Sequence, residues 1–204
     1  MRPNLAAPLP LQRRKGRSII KVMSVRVDGR TKLTYDEYVQ LPDDGRRHEI
    51  IDGEHCVSPS PGSSHQNASR HIQFALYDQI EKTGMAQVFN APMDLELSPV
   101  DVVQPDLIVV LNERREIILP SRIRGVPDLV VEILSPSTAD RDQGVKRLLY
   151  EAAGVPEYWV VDIEDRAVLK YVLSDEGYGE ASSCHESISF LGAIVDLNEV
   201  WRRL

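Results

Sequence analysis

The chain has 204 residues, 42% apolar and 27% charged, a balance that excludes a disordered polymer and is enough for one domain with a real core. Its net charge of −7 is uneven: residues 1–30 carry eight Lys/Arg against Asp28 alone (+7), leaving 16 basic and 30 acidic residues (−14) in the remainder, which argues against a broad non-specific DNA-binding surface. No apolar run approaches the roughly 18 residues of a membrane span, and two cysteines, Cys56 and Cys184, make neither a disulfide framework nor a CxxC metal motif.

Residues 1–30 read as a basic, disordered tail. Pro3, Pro8 and Pro10 break any helix, Gln12 to Arg17 is a basic run, and Met23 offers an alternative start. Residues 31–204 are expected to form a single domain. Thr34 is a candidate N-cap, with Glu37 three residues later as in a capping box. His48 to Val57 reads as a strand or hairpin turning through Asp52-Gly53. The Ser58–Ser64 loop leads to a helix capped by Ser64 and running to about Lys82, with Ile72, Ala75, Leu76 and Ile80 as its apolar stripe.

Strand-like runs follow at 86–90, 93–97, 102–111 and 128–134. Ser137 or Thr138 is expected to cap a second helix ending at Gly154. Runs 157–162 and 167–173 read as paired strands, and 198–203 as a short final helix. Helices interspersed with strands predict an α/β or mixed α+β fold, a central mixed sheet flanked by helices.

Two of these strands carry a carboxylate inside an apolar run: Gln104-Pro105-Asp106-Leu107-Ile108-Val109-Val110 and Asp128-Leu129-Val130-Val131-Glu132-Ile133-Leu134. A buried acid is costly without a partner. If the strands are neighbours, Asp106 and Glu132 meet, and a divalent cation such as Mg²⁺ would relieve their repulsion.

The ordered series Arg47-His48-Glu49-Ile50-Ile51-Asp52-Gly53-Glu54, Ser58-Pro59-Ser60-Pro61 with His65-Gln66, Gln104-Pro105-Asp106, Pro127 to Thr138, Asp142 with Lys146 and Tyr150, and Gly154 to Asp162 resembles the Uma-two family. That family is restriction-endonuclease-like and belongs to the PD-(D/E)XK nuclease superfamily. The resemblance runs from about residue 33 to about residue 178.

It implies a restriction-endonuclease-like core with the acids on a central hairpin, and a cytoplasmic, Mg²⁺- or Mn²⁺-dependent endonuclease acting on DNA. Asp106 and Glu132 would hold the metal, with the Ile133 carbonyl, and Glu49 would be a further acid of the site. A homodimer would cut two strands. The chain departs from the superfamily's third motif, Glu-X-Lys, because it reads Glu132-Ile133-Leu134. Lys146 shares a helix face with Asp142 and Tyr150 and is the candidate replacement.

Each candidate has a plainer reading. Asp106 suits a strand-edge ion pair, Lys146 an i, i+4 pair with Asp142, and Glu49 or Glu54 a hairpin salt bridge. His65 could touch the scissile phosphate or be a surface histidine at a helix start. Asp128 reads as a strand-entry residue, and Trp159 as core rather than a base-stacking platform. The rival from another class is a nuclease-fold binding or regulatory module without catalysis.

Overall fold

The computed structural model describes residues 32–135, 142–202 and Leu204. The expected basic tail, and the cap at Ser137 or Thr138, lie outside these residues.

Helix α1 (Tyr35–Tyr38) is one turn, with Thr34 N donating to Glu37 Oε2 at 2.8 Å. Strands β1 (Arg47–Ile51) and β2 (Glu54–Ser58) form the expected hairpin. Asp52 (φ 51°) and Gly53 (φ 77°) both take left-handed backbone, as a two-residue turn between twisted strands requires. A Cβ at Gly53 would stand 2.9 Å from the Lys32 backbone, so this glycine is required twice over.

Helix α2 (Ser63–Leu76) continues into a π-helical turn over Tyr77–Glu81. Its N-cap is Gly62, not Ser64: extended Gly62 already delivers its carbonyl to Gln66 N at 3.1 Å, which makes Ser63 the first helical residue. Ala68, Ile72, Leu76 and Ile80, four residues apart, form the buried stripe.

Strands β3 (Ala86–Asn90), β4 (Leu95–Ser98), β5 (Asp101–Val103) and β6 (Leu107–Leu111) follow. The continuous strand expected over 102–111 is thus two. Pro105 has no N–H for a ladder, so pairing stops at Gln104-Pro105-Asp106 and the two pieces join different sheets. Strands β7 (Ile118–Leu119), β8 (Arg122–Arg124) and β9 (Leu129–Ile133) come next.

A π-helical turn over Asp142–Lys146 runs into α3 (Arg147–Ala153), which stops at Gly154 (φ 86°). Strands β10 (Glu157–Asp162) and β11 (Ala167–Ser174) pair antiparallel as expected. Short strands β12 (Gly177–Tyr178), β13 (Ser182–Cys184), β14 (Ser187–Phe190) and β15 (Ala193–Asp196) then lead to α4 (Leu197–Trp201).

The central sheet has the order β12-β11-β10-β9-β6-β3, with β13 also on β11. Strands β9 and β10 are parallel and joined across α3, whereas β6 lies antiparallel to both β3 and β9. A second sheet runs β2-β1-β5-β4-β8-β7, and β14–β15 is a separate hairpin. This is the mixed α/β class expected from the element pattern.

Side-chain alternation sorts the core. Leu107, Val109, Leu129, Val131, Trp159 and Val161 pack with α2, β14, β15 and α4. Ile108, Val110, Val130, Tyr158 and Val160 pack with Tyr150 of α3 and with Leu95, Val103 and Ile123 of the second sheet. Burial on both faces explains why β6, β9 and β10 are almost uninterrupted apolar runs. The same parity places Glu132 on the face that Tyr150 covers.

Candidate active site

Leu107 pairs with Val131, so Asp106 enters the sheet beside the Glu132–Ile133 end of β9. Asp106 is 3% exposed. Its Oδ2 accepts the Ile133 amide at 2.8 Å and meets His65 Nε2 at 3.1 Å, while Oδ1 accepts Arg47 Nη2 at 3.0 Å. Burial pushes this carboxyl up. The bond and charge of His65, the Arg47 guanidinium and the Ile133 amide outweigh it and hold the group below the ordinary aspartate range.

Glu132 is 1% exposed, and its Oε1 accepts Lys146 Nζ at 2.9 Å and the Tyr150 hydroxyl at 2.7 Å. Lys146 Nζ also donates to Glu49 Oε1 at 2.8 Å, and the same oxygen accepts Gln104 N at 2.9 Å. One buried cation therefore bridges two buried carboxylates from β1 and β9. Burial, then the charge of Glu132, raises Tyr150 well above the usual phenol range, so it stays a donor.

Arg47, His65, Asp106, Glu132, Ile133 and Lys146 line one cavity of about 210 Å³ beside the Ser58–Gly62 loop. His65 Nδ1 is buried there without a hydrogen-bond partner among the described residues. Two carboxylates at a polar cavity suit Mg²⁺, which keeps most of its waters and takes one or two acidic ligands. Among the described residues there is no cluster of three or more His, Cys, Asp or Glu able to cage a metal. The donor set fits a largely hydrated ion rather than an all-protein cage.

The structure thus brings Glu49, Asp106, Glu132 and Lys146 together, with His65. It leaves others out. Glu54 is exposed on β2. Asp128 accepts the Leu111 amide at 2.8 Å and pairs with Arg114, so it secures the entry to β9. Trp159 is core, its indole N–H donating to Glu157 Oε1 at 2.6 Å. The side chain of Asp142 lies outside the described residues.

Two residues of the ordered sequence series carry no role in the sequence reading. Arg47 is legible only in retrospect, as the residue two before Glu49 on the same strand face. Tyr150 lies one helical turn beyond Lys146, a spacing that a search for donors to Glu132 would pick out.

A family model described as "Putative restriction endonuclease", Uma2, matches residues 35–192. The chain belongs to the Uma2 family. A crystal structure of "a putative nuclease belonging to DUF820" from Anabaena variabilis ATCC 29413 superposes with a TM-score of 0.70 at 19% identity, covering 83% of this Uma2 chain and 98% of that one. The type IIG restriction endonuclease BpuSI aligns at a TM-score of 0.40 and 12% identity over 72% of this chain and 17% of that one. No curated protein matches. The Uma2 chain has a restriction-endonuclease-like fold and is nuclease-like, and no helix among its described residues is long and apolar enough to cross a membrane.

Proposed function

We propose that this Uma2 protein is a Mg²⁺-dependent (or Mn²⁺-dependent) endonuclease that hydrolyses DNA phosphodiester bonds. One observation carries the reading: Lys146, from a different element, reaches Glu132 at 2.9 Å within the cavity that Asp106 lines. In this reading Lys146, on the turn leading into α3, takes the role of the lysine absent from the Glu-X-Lys position.

Asp106, Glu132 and the Ile133 carbonyl would hold the metal. Bound there, it lowers the pKa of a water and neutralises charge on the phosphate. Lys146 and Tyr150 fix the Glu132 carboxylate by two donors on one oxygen, and the Lys146 cation, lining the same cavity, would stabilise negative charge developing on a phosphoryl group bound there. Glu49 anchors Lys146. Arg47 and His65 orient Asp106 and keep it ionised. A homodimer would present one such site to each strand of a duplex.

The test is cleavage of supercoiled and linear DNA by the purified protein with Mg²⁺, Mn²⁺ or EDTA, beside Asp106→Asn and Glu132→Gln variants shown to be folded. Metal-dependent nicking that both variants lose is the expected result. The inactive binding module has one observation in its favour, since Asp106 and Glu132 are each already ion-paired within the protein. Absence of cleavage by folded protein under every metal would select it.

A further inference from the structure

A second groove, of about 450 Å³, opens beside the cavity and shares Arg47, His65 and Asp106 with it. Its floor is the outer face of α2. Arg70, Gln73 and Phe74 line it at helical spacing, and Asn90 at the end of β3 closes one side, held by Gln73 Nε2 at 3.0 Å. Phe74 is 61% exposed, although the opposite face of the same helix buries Ile72 and Leu76 completely. The chain from residue 31 onward carries −14, yet the charged side chains lining this groove are two arginines and an aspartate already paired with one of them. A channel with two arginines and an exposed aromatic ring therefore runs directly into the cavity that Asp106 and Glu132 line.

Those features match one ligand chemistry. An aromatic face stacks a base that is out of the duplex stack, and a guanidinium meets a backbone phosphate. We propose that this groove seats an unpaired segment of the DNA strand flanking the scissile phosphate, with a base on Phe74 and a phosphate on Arg70. The assignment deepens the nuclease reading and rests on it. It makes the preferred substrate DNA with a single-stranded stretch next to the cut.

The test is fluorescence anisotropy of the full chain with a labelled oligothymidylate, and with a blunt duplex of the same length, in EDTA so that binding is scored apart from cleavage. The wild type is expected to bind the single strand more tightly than the duplex. Phe74→Ala should weaken single-strand binding roughly 5- to 150-fold, the loss of one stacked base, and Phe74→Trp should restore it. Arg70→Ala should reduce the slope of log affinity against log salt by about 0.7, one phosphate contact on a single strand.

Unchanged affinity in both alanine variants, a preference for the duplex, or no binding of the oligothymidylate by the wild type would each overturn the seat. Plasmid cleavage separates the two readings. Cleavage with unaltered binding in the variants removes the seat alone, whereas binding that depends on Phe74 and Arg70 without cleavage under any metal removes catalysis alone.

Discussion

Replacing Lys146 with methionine removes the cation whose Nζ hydrogen-bonds both Glu49 and Glu132. Its Nζ lies 2.8 and 2.9 Å from the two carboxylate oxygens, and the side chain is 3% exposed. At an effective dielectric constant near 20, each contact is worth about 6 kcal/mol of Coulomb attraction. Desolvation of the three ions offsets most of that sum, so the pair interactions do not translate into net stability. What the substitution exposes is the cost of two buried carboxylates that lose their bridging cation. The Arg47 guanidinium still acts on both, so the cost lies at or below the roughly 3–5 kcal/mol of a fully broken buried pair, about 2–4 kcal/mol. For a chain of this size that corresponds to a fall of roughly 4–16 °C in Tm.

The pH dependence carries the sign. A buried carboxyl deprived of its cation favours the protonated form, so the folded variant should bind more protons than its unfolded chain. Its stability accordingly falls as pH rises, and the gap to wild type narrows between pH 8 and pH 5. Urea unfolding of both proteins across that range is the assay. A triple variant, Lys146→Met with Glu49→Gln and Glu132→Gln, should recover much of the loss, because no charge of the bridged set is then left buried and the amide oxygens still accept from Gln104 N and the Tyr150 hydroxyl. A Lys146→Met protein within about 1 kcal/mol of wild type at pH 8, with parallel pH curves, would refute the reasoning.

Other outcomes follow from the same structure. Asp106, held below the ordinary range by His65, Arg47 and the Ile133 amide, stabilises the fold above about pH 4, its unfolded value, and that contribution is lost as pH falls through the lower folded one. In Asp106→Asn the acid limb of the stability curve should therefore be shallower than in wild type, read from denaturant midpoints between pH 3 and 6. Asp128→Ala removes the acceptor of the Leu111 amide and the partner of Arg114. It should cost about 1–3 kcal/mol in urea unfolding while leaving plasmid nicking per folded molecule unchanged. Gly154→Ala meets no atom within 4 Å, so its cost is purely that of the left-handed backbone, about 1–2 kcal/mol by thermal unfolding.

Much was legible in the residues themselves. Asp52-Gly53 dictated its hairpin because few dipeptides tolerate two left-handed residues, and the spacing of Ile72, Leu76 and Ile80 dictated which face of α2 is buried. Carboxylates inside the runs 106–110 and 128–134 marked the site, since a charge among β-branched residues needs a reason to be there. The short strands β7, β8 and β12 to β15 were not legible. Strands of two to four residues carry too little alternation to stand out, even where they pair with a close neighbour in sequence, as β7 with β8 and β14 with β15.

Tertiary structure alone decided three things. It cut the 102–111 run at Pro105 and sent its halves to different sheets, because a missing N–H breaks a ladder only where a ladder partner exists. It brought Lys146 to Glu132 and Glu49, a meeting of β1, β9 and the turn before α3 that no local spacing encodes. It also placed Arg47 on Asp106 across 59 positions of chain. The sequence by itself determined which groups must be compensated when buried. Only the packed chain could determine which partner compensates each, since charges find one another through space rather than along the backbone.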